Sequence, residues 1–228
     1  MDQIGAAAEG KNTQPQGEEA CFADPFGKRA YKHMKHMLKG RVSQQRYDHS
    51  KGVAKTAVQL AKIYGVDPGE ARIAGIIHDW DKECDIQTIQ NRARVLCPDE
   101  DQRVIDDMPW LLHGPTAAAS LRQSHPEFGD AVFQAVARHT SGASDMSPLD
   151  CIIYVADIIE PNRVYGKKKD DIDALKREVG ILNLQDLYFH AFKITFLHLV
   201  KENRRMHPHT VDVWNALMNT YSKHRKSK

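Results

Sequence analysis

A single histidine-aspartate doublet, His78-Asp79, closes the apolar stretch Ala71-Arg72-Ile73-Ala74-Gly75-Ile76-Ile77. A second aspartate, Asp157, stands inside the run Cys151-Ile152-Ile153-Tyr154-Val155-Ala156-Asp157-Ile158-Ile159. Apolar residues on almost every face mark that run as a buried helix. A lone carboxylate in such a place is costly, so Asp157 must meet a cation, several hydrogen bonds or a metal. The doublet by itself says little, because 12 His and 20 Asp in 228 residues give about one such step by chance. Its weight comes from company. His49 opens an amphipathic stretch whose apolar side includes Val53, Ala57, Leu60 and Ala61.

His49, His78, Asp79 and Asp157 together offer two imidazoles and two carboxylates. That mixed nitrogen and oxygen field suits Fe, Mn, Zn or Mg better than Ca. Two further histidines end apolar segments in the same manner, His113 after Trp110-Leu111-Leu112 and His139 after Val132 to Ala137. Either ligation of a second metal or a grip on a substrate phosphate is open to them. Other phosphate-handling patterns are missing: there is no G-x-x-x-x-G-K-[ST] loop, no G-x-G-x-x-G after a strand and no C-x-x-C pair.

The elements that must position these side chains read as helices throughout. Asp67-Pro68-Gly69-Glu70 supplies an N-cap, a proline at the first helical position and a carboxylate at the third. Ser147-Pro148-Leu149-Asp150 repeats the device with Asp for Glu, and His207-Pro208 marks a third start. The 3.6-residue period then predicts helices near 26–39, 43–64, 68–79, 86–95, 99–107, 114–123, 127–138, 148–160, 171–178, 184–205 and 209–224. The β-branched run Ile152 to Val155 sits directly behind a helix cap, and no period-2 segment carries hairpin signals. The expected fold class is all-α, a helical bundle.

Residues 1–24 are poor in large apolar side chains and read as a disordered tail, leaving one helical domain over 25–225. With 32 Lys+Arg against 30 Asp+Glu, the formal charge of +2 argues against a nucleic-acid partner, which calls for a concentrated positive excess. No apolar run approaches the ~20 residues that cross a bilayer, and the first 20 residues lack a signal-peptide core, so no membrane partner and a cytoplasmic location are expected. Four cysteines without framework spacing fit reduced thiols, with Cys151 in the core.

The order His49, His78-Asp79, Asp157 resembles the H…HD…D signature of the HD-domain metal-dependent phosphohydrolases, an all-helical superfamily. Four blocks narrow the resemblance: Arg46-Tyr47-Asp48-His49-Ser50, Ala74 to Glu83, Arg138-His139-Thr140-Ser141-Gly142, and Tyr154 to Arg163. Together they are similar to the YqeK-type branch, the symmetrical diadenosine tetraphosphate hydrolases, over about residues 28–205. The resemblance implies an HD-domain bundle holding iron, one or two ions, with manganese or another divalent metal as the substitute. It implies His49, His78, Asp79 and Asp157 as ligands of the first metal, with His113 and His139 joining Asp79 at a second. A metal-activated water would then cut a dinucleoside tetraphosphate centrally into two ADP, with Asp79, Lys82 and Arg163 as the catalytic set. His49, Lys82, His113, His139, Thr140, Asp157 and Arg163 would face the substrate. It also leaves room for a homodimer.

The chain departs from the branch at Trp80-Asp81-Lys82, where a Tyr-Ala-Lys-like step is expected; Asp81 is thereby expected to add an acid beside the site. No nucleotidyl-transferase region precedes the matched blocks, so adenylate transfer is not expected. The Gly-Tyr-Pro motif of the cyclic dinucleotide phosphodiesterases is lacking.

Overall fold

The computed structural model describes residues 22–163 and 169–226, with side chains described up to residue 220. Eleven α-helices form among the described residues, and no strand does. They are α1 (Lys28–Lys39), α2 (Gln44–Tyr64), α3 (Pro68–Ile77), α4 (Ile86–Leu96), α5 (Gln102–Asp107), α6 (His113–Ser124), α7 (Gly129–Arg138), α8 (Pro148–Ile159), α9 (Lys169–Glu178), α10 (Leu184–Lys201) and α11 (Thr210–Lys226). Short 3-10 turns at Pro109–Leu111 and Pro126–Phe128 lead into α6 and α7.

The helix starts follow their local chemistry. Asp67 accepts from the backbone N–H groups of Gly69 and Glu70, with Pro68 supplying the fixed φ of the first turn. At Ser147 the capping box closes both ways, Ser147 accepting from the Asp150 N–H and Asp150 from the Ser147 N–H. Ser43 caps α2 and is itself held by Glu83, which accepts from both its N–H and its hydroxyl. That contact ties the start of the His49 helix to the turn carrying the doublet.

Several boundaries differ from expectation, among them the start of α5, at Gln102 and not 99, and the end of α10, at Lys201 and not 205. Helix α3 stops at Ile77, two residues short of 79, because the Nδ1–H of His78 takes the Gly75 carbonyl that a continuing helix would offer to the N–H of Asp79. His78 and Asp79 therefore sit in a chain of tight turns, with Trp80 N–H bonding to Ile77 and Lys82 N–H to Asp79. The expected tail of 1–24 lies outside the described residues for 1–21. Its last residues do not behave as a tail, since the Phe22 ring packs edge-on against His33 and Phe128.

Helix α8 is the central post: from Leu149 to Ile159 every residue but Asp157 is buried. Around it stand α2, α3, α7 and α10, and α2 also runs along α3. At that crossing a Cβ on Gly75 would come within 2.7 Å of the Ala54 Cα, so only glycine lets the two backbones approach. A smaller apolar cluster of Ile89, Ala93, Val104, Ile105, Met108 and Leu112 anchors α4 and α5 beside the entry to α6. No helix among the described residues is long and apolar enough to cross a membrane.

Candidate metal centre

Six of the residues singled out in the sequence meet at one place. His49 comes from α2, His78 and Asp79 from the turns after α3, His113 from the start of α6, His139 from the end of α7 and Asp157 from α8. His49, His78 and Asp79 offer ligand atoms within 4.8 Å of one another, and so do Asp79, His113 and His139. Asp79 is common to both groups.

Three of the four rings are oriented by one device. Nδ1 of His78 lies 2.8 Å from the Gly75 carbonyl, that of His113 2.9 Å from Trp110 and that of His139 2.7 Å from Val136. Each partner is three residues back, and a carbonyl can only accept, so Nδ1 carries the proton in all three. His49 places Nδ1 3.0 Å from Oε1 of Glu160 instead. Every Nε2 is thereby left to face inward, which is how metal-binding imidazoles are prepared.

What they face is a pair of carboxylates. Nε2 of His49 lies 3.0 Å from Asp157 Oδ1 and 3.6 Å from Asp79 Oδ2; that of His78 lies 3.4 Å from Asp79 Oδ2 and 3.7 Å from Asp157 Oδ1. Both Nε2 atoms are buried without a well-formed hydrogen bond. On the other side of Asp79, Nε2 of His113 is 3.2 Å and that of His139 3.6 Å from Oδ1. Those two Nε2 atoms stand only 3.0 Å apart. Two lone pairs at that separation repel unless a proton or a cation is placed against them. Thr140 Oγ1 is 3.1 Å from each, and Lys82 Nζ is 3.3 Å from His113. Orphaned Nε2 atoms around two carboxylates are a donor set that a divalent ion fits.

The electrostatics agree with a cation-seeking site. Burial alone would raise both acids, but His78 with His113 and His139 overcomes it at Asp79, and Arg163 with His49 and His78 does so at Asp157; both lie well below the usual carboxylate range. Burial pushes His78 down, yet the two acids hold it up at about 10. His113 goes the other way, to about 4, through burial and the nearby Lys82 ammonium. Burial also lowers Lys82, against the pull of Asp79 and Asp157.

Three cations border the carboxylates. Arg46 Nη1 is 2.7 Å from Asp79 Oδ2, Arg163 Nη1 is 2.8 Å from Asp157 Oδ1, and Lys82 reaches in beside His113. Asp157 is the more open acid, 17% exposed against 3% for Asp79, so the site opens on its side. Arg163, for which an ion pair with Glu160 is the ordinary alternative, also bonds to the Asp157 carbonyl. Asp81 corrects an expectation. It is buried but turned away from the ligands, between Arg41 at 2.9 Å and Arg92 at 2.6 Å, and adds no charge to the site.

Two members were not singled out from the sequence. Arg46 stands one turn before His49 and Glu160 three residues beyond Asp157, and helical spacing from a ligand is the signal that could have found them.

The HD-domain family model matches residues 46–162, a span that opens at Arg46 and closes just past Glu160. The chain belongs to the HD-domain family. A protein of Halalkalibacterium halodurans named symmetrical bis(5'-nucleosyl)-tetraphosphatase is 33% identical over 183 residues, covering 80% of this chain and 94% of that one. Its namesake in Bacillus subtilis is 32% identical over 182 residues, 79% of this chain and 94% of the relative. Among solved structures, an HD superfamily hydrolase of Clostridium acetobutylicum described as involved in NAD metabolism superposes with a TM-score of 0.74 at 30% identity, covering 83% of this chain and 97% of that one. The HD domain here thus carries its histidines and aspartates on the helices and turns described above.

Proposed function

We propose that this protein is a metal-dependent phosphohydrolase that cleaves dinucleoside tetraphosphates, diadenosine tetraphosphate first among them, symmetrically into two ADP. The observation that carries the reading is the four inward Nε2 atoms set around Asp79 and Asp157, with every Nδ1 already engaged. Support for the substrate comes from the relatives named symmetrical bis(5'-nucleosyl)-tetraphosphatases, which this chain matches over nearly their whole length.

In this reading His49, His78, Asp79 and Asp157 would hold the first ion, and His113 and His139 with Asp79 would hold a second. Iron is the proposed metal, with manganese as the substitute. A bound divalent ion supplies Lewis acidity, which activates water as a nucleophile and offsets charge on the phosphates. Phosphoryl transfer is mainly positioning and charge stabilisation, so the cations that border the carboxylates carry the rest. Arg163 and Arg46 can exchange their carboxylate partners for substrate phosphates, for which a guanidinium fork is well shaped. Lys82 and Thr140, fixed beside His113 and His139, hold a phosphate on the inner side. Water adds to one of the two inner phosphorus atoms, the central P–O–P bridge breaks, and ADP leaves on each side. The free thiols of Cys84, Cys97 and Cys151 are in keeping with action in the reducing cytoplasm.

The test is chromatography of products after incubating the protein, loaded anaerobically with Fe(II) or Mn(II), with diadenosine tetraphosphate. ADP alone, lost on chelation, is expected. ATP plus AMP, or turnover confined to nucleoside monophosphates or guanosine polyphosphates, would overturn the reading. Metal binding without turnover would make the protein a silent nucleotide-binding module.

A further inference from the structure

Beside the His113 and His139 half of the centre lies a cavity of about 200 Å³ that none of the metal-site chemistry uses. Two of its lining residues belong to the centre's own support: Trp110, whose carbonyl holds the His113 ring, and Thr140, which touches both imidazoles. A third, Tyr154, sits one helical turn before Asp157. The cavity therefore opens within reach of anything bound at Asp79 and Asp157.

Its walls are aromatic. Phe192 and Phe196 of α10 lie nearly parallel, 17° apart, and Trp214 continues the stack behind Phe196 at 14° and 4.9 Å between centroids. Trp110, 54% exposed, also lines the cavity. A polar edge is also present, where Thr195 and the buried Tyr154 line the cavity. The segment after α10 closes the outside. Asn203 adopts a left-handed conformation, φ 51°, and the N–H groups of Asn203 and Arg204 return to the carbonyls of Val200 and Leu199, a Schellman turn that reverses the chain and brings Arg204 and Met206 to the cavity. His207 pins this segment to Glu100 at 3.0 Å.

Parallel aromatic rings with a guanidinium at the mouth are the features that bind nucleobases by stacking. At about 200 Å³ the cavity is smaller than the ~300–1,000 Å³ that engulfs a drug-sized ligand. It suits one planar base, not a whole dinucleotide. We infer that this cavity is the base subsite for one half of the substrate, a purine nucleoside diphosphate unit whose phosphates run from the cavity mouth past Thr140 to the metal centre. The inference rests on the tetraphosphatase reading and adds to it which residues hold the nucleoside.

Calorimetric titration of the Mn(II)-loaded protein with ADP and with pyrophosphate tests it, in the wild type, in Trp110→Ala, and in Thr195→Phe, which fills the cavity. Trp110 is exposed, so its removal leaves the fold intact. ADP is expected to bind at least tenfold more tightly than pyrophosphate in the wild type. Each variant is expected to lose about tenfold in ADP affinity while keeping that for pyrophosphate. An ADP margin unchanged in both variants, or no margin in the wild type, overturns the inference. Symmetrical cleavage with an unchanged margin would sink the base subsite and leave the tetraphosphatase reading standing. A margin lost as expected, without cleavage of diadenosine tetraphosphate, would do the reverse.

Discussion

Oε1 of Glu160 lies 3.0 Å from Nδ1 of His49, and Glu160 is fully buried while doing so. Of the four ring orientations, this one alone depends on a carboxylate, which both fixes the tautomer and makes the far nitrogen a stronger ligand. Glu160→Gln is expected to weaken metal binding by ~10–100-fold without loss of helix. Competition against a chelating dye reads the affinity directly, and a wild-type value would remove Glu160 from the site.

Gly52 leaves the room that Glu160 occupies. A Cβ built there would run into Oε2 of Glu160, and the Asn162 side chain is close behind. Alanine in a helix interior ordinarily gains about 1 kcal/mol over glycine. At this position Gly52→Ala is expected instead to lower the melting temperature and to reproduce the metal-affinity loss of Glu160→Gln. A more stable variant with unaltered metal binding would show that the carboxylate yields easily.

Asp79→Ala and Asp157→Ala are expected to abolish both metal binding and turnover in a protein that keeps its far-ultraviolet dichroism. Chelation of the wild type is expected to leave the helices in place, because Arg46 and Arg163 already partner these acids. Metal analysis after dialysis, alongside dichroism, checks both; an active Asp79→Ala protein would discard the ligand assignment.

In the proposed reaction Lys82, 3.3 Å from His113, would meet the reacting phosphates and would not hold the ion. Its loss is expected to lower kcat by ~10²–10³, the scale of removing one preorganised charge-stabilising group, with metal content unchanged. Steady-state kinetics of Lys82→Ala with metal quantification separates the two; a fall in bound metal to match would make it structural.

The His207 contact lowers the Glu100 carboxyl below its ordinary range, although burial works against it. A depressed folded-state value means that this contribution to stability is complete above the unfolded-state pKa and fades as pH falls through the folded one. The melting-temperature difference between the wild type and Glu100→Gln is expected to shrink as pH falls below about 4.3, the ordinary glutamate value. A difference that grows with acid would reverse the assignment.

The helices were legible because their punctuation is local: Asp67-Pro68 and Ser147-Pro148 cap the helices they open, as the sequence says. The cluster of candidate ligands was legible for a different reason. A polar residue in an apolar helix, such as Asp157, must have a partner, and few partners suit two acids and four imidazoles. Long-range pairings left no such trace. Nothing local tells Glu160 that its neighbour is His49, 111 residues away, so Arg163 is the nearer guess. Asp81 follows a ligand by two residues and reads as part of the site, but the turns after α3 point it toward Arg41 and Arg92, whose proximity only the packing of α1 and α4 against this turn creates.

The contact between Gly75 and Ala54 joins the helices that lead to His78 and His49 through main-chain atoms, with no side-chain rotor between them. Warming a protein first frees its longer side chains, and a joint that has none is slow to loosen. The spacing of these two rings therefore rests on main-chain atoms in direct contact. The amides flanking Gly75 and Ala54 are expected to be among the last to exchange with deuterated solvent, leaving the outer segment around Asn203 to breathe while the ligands keep their register.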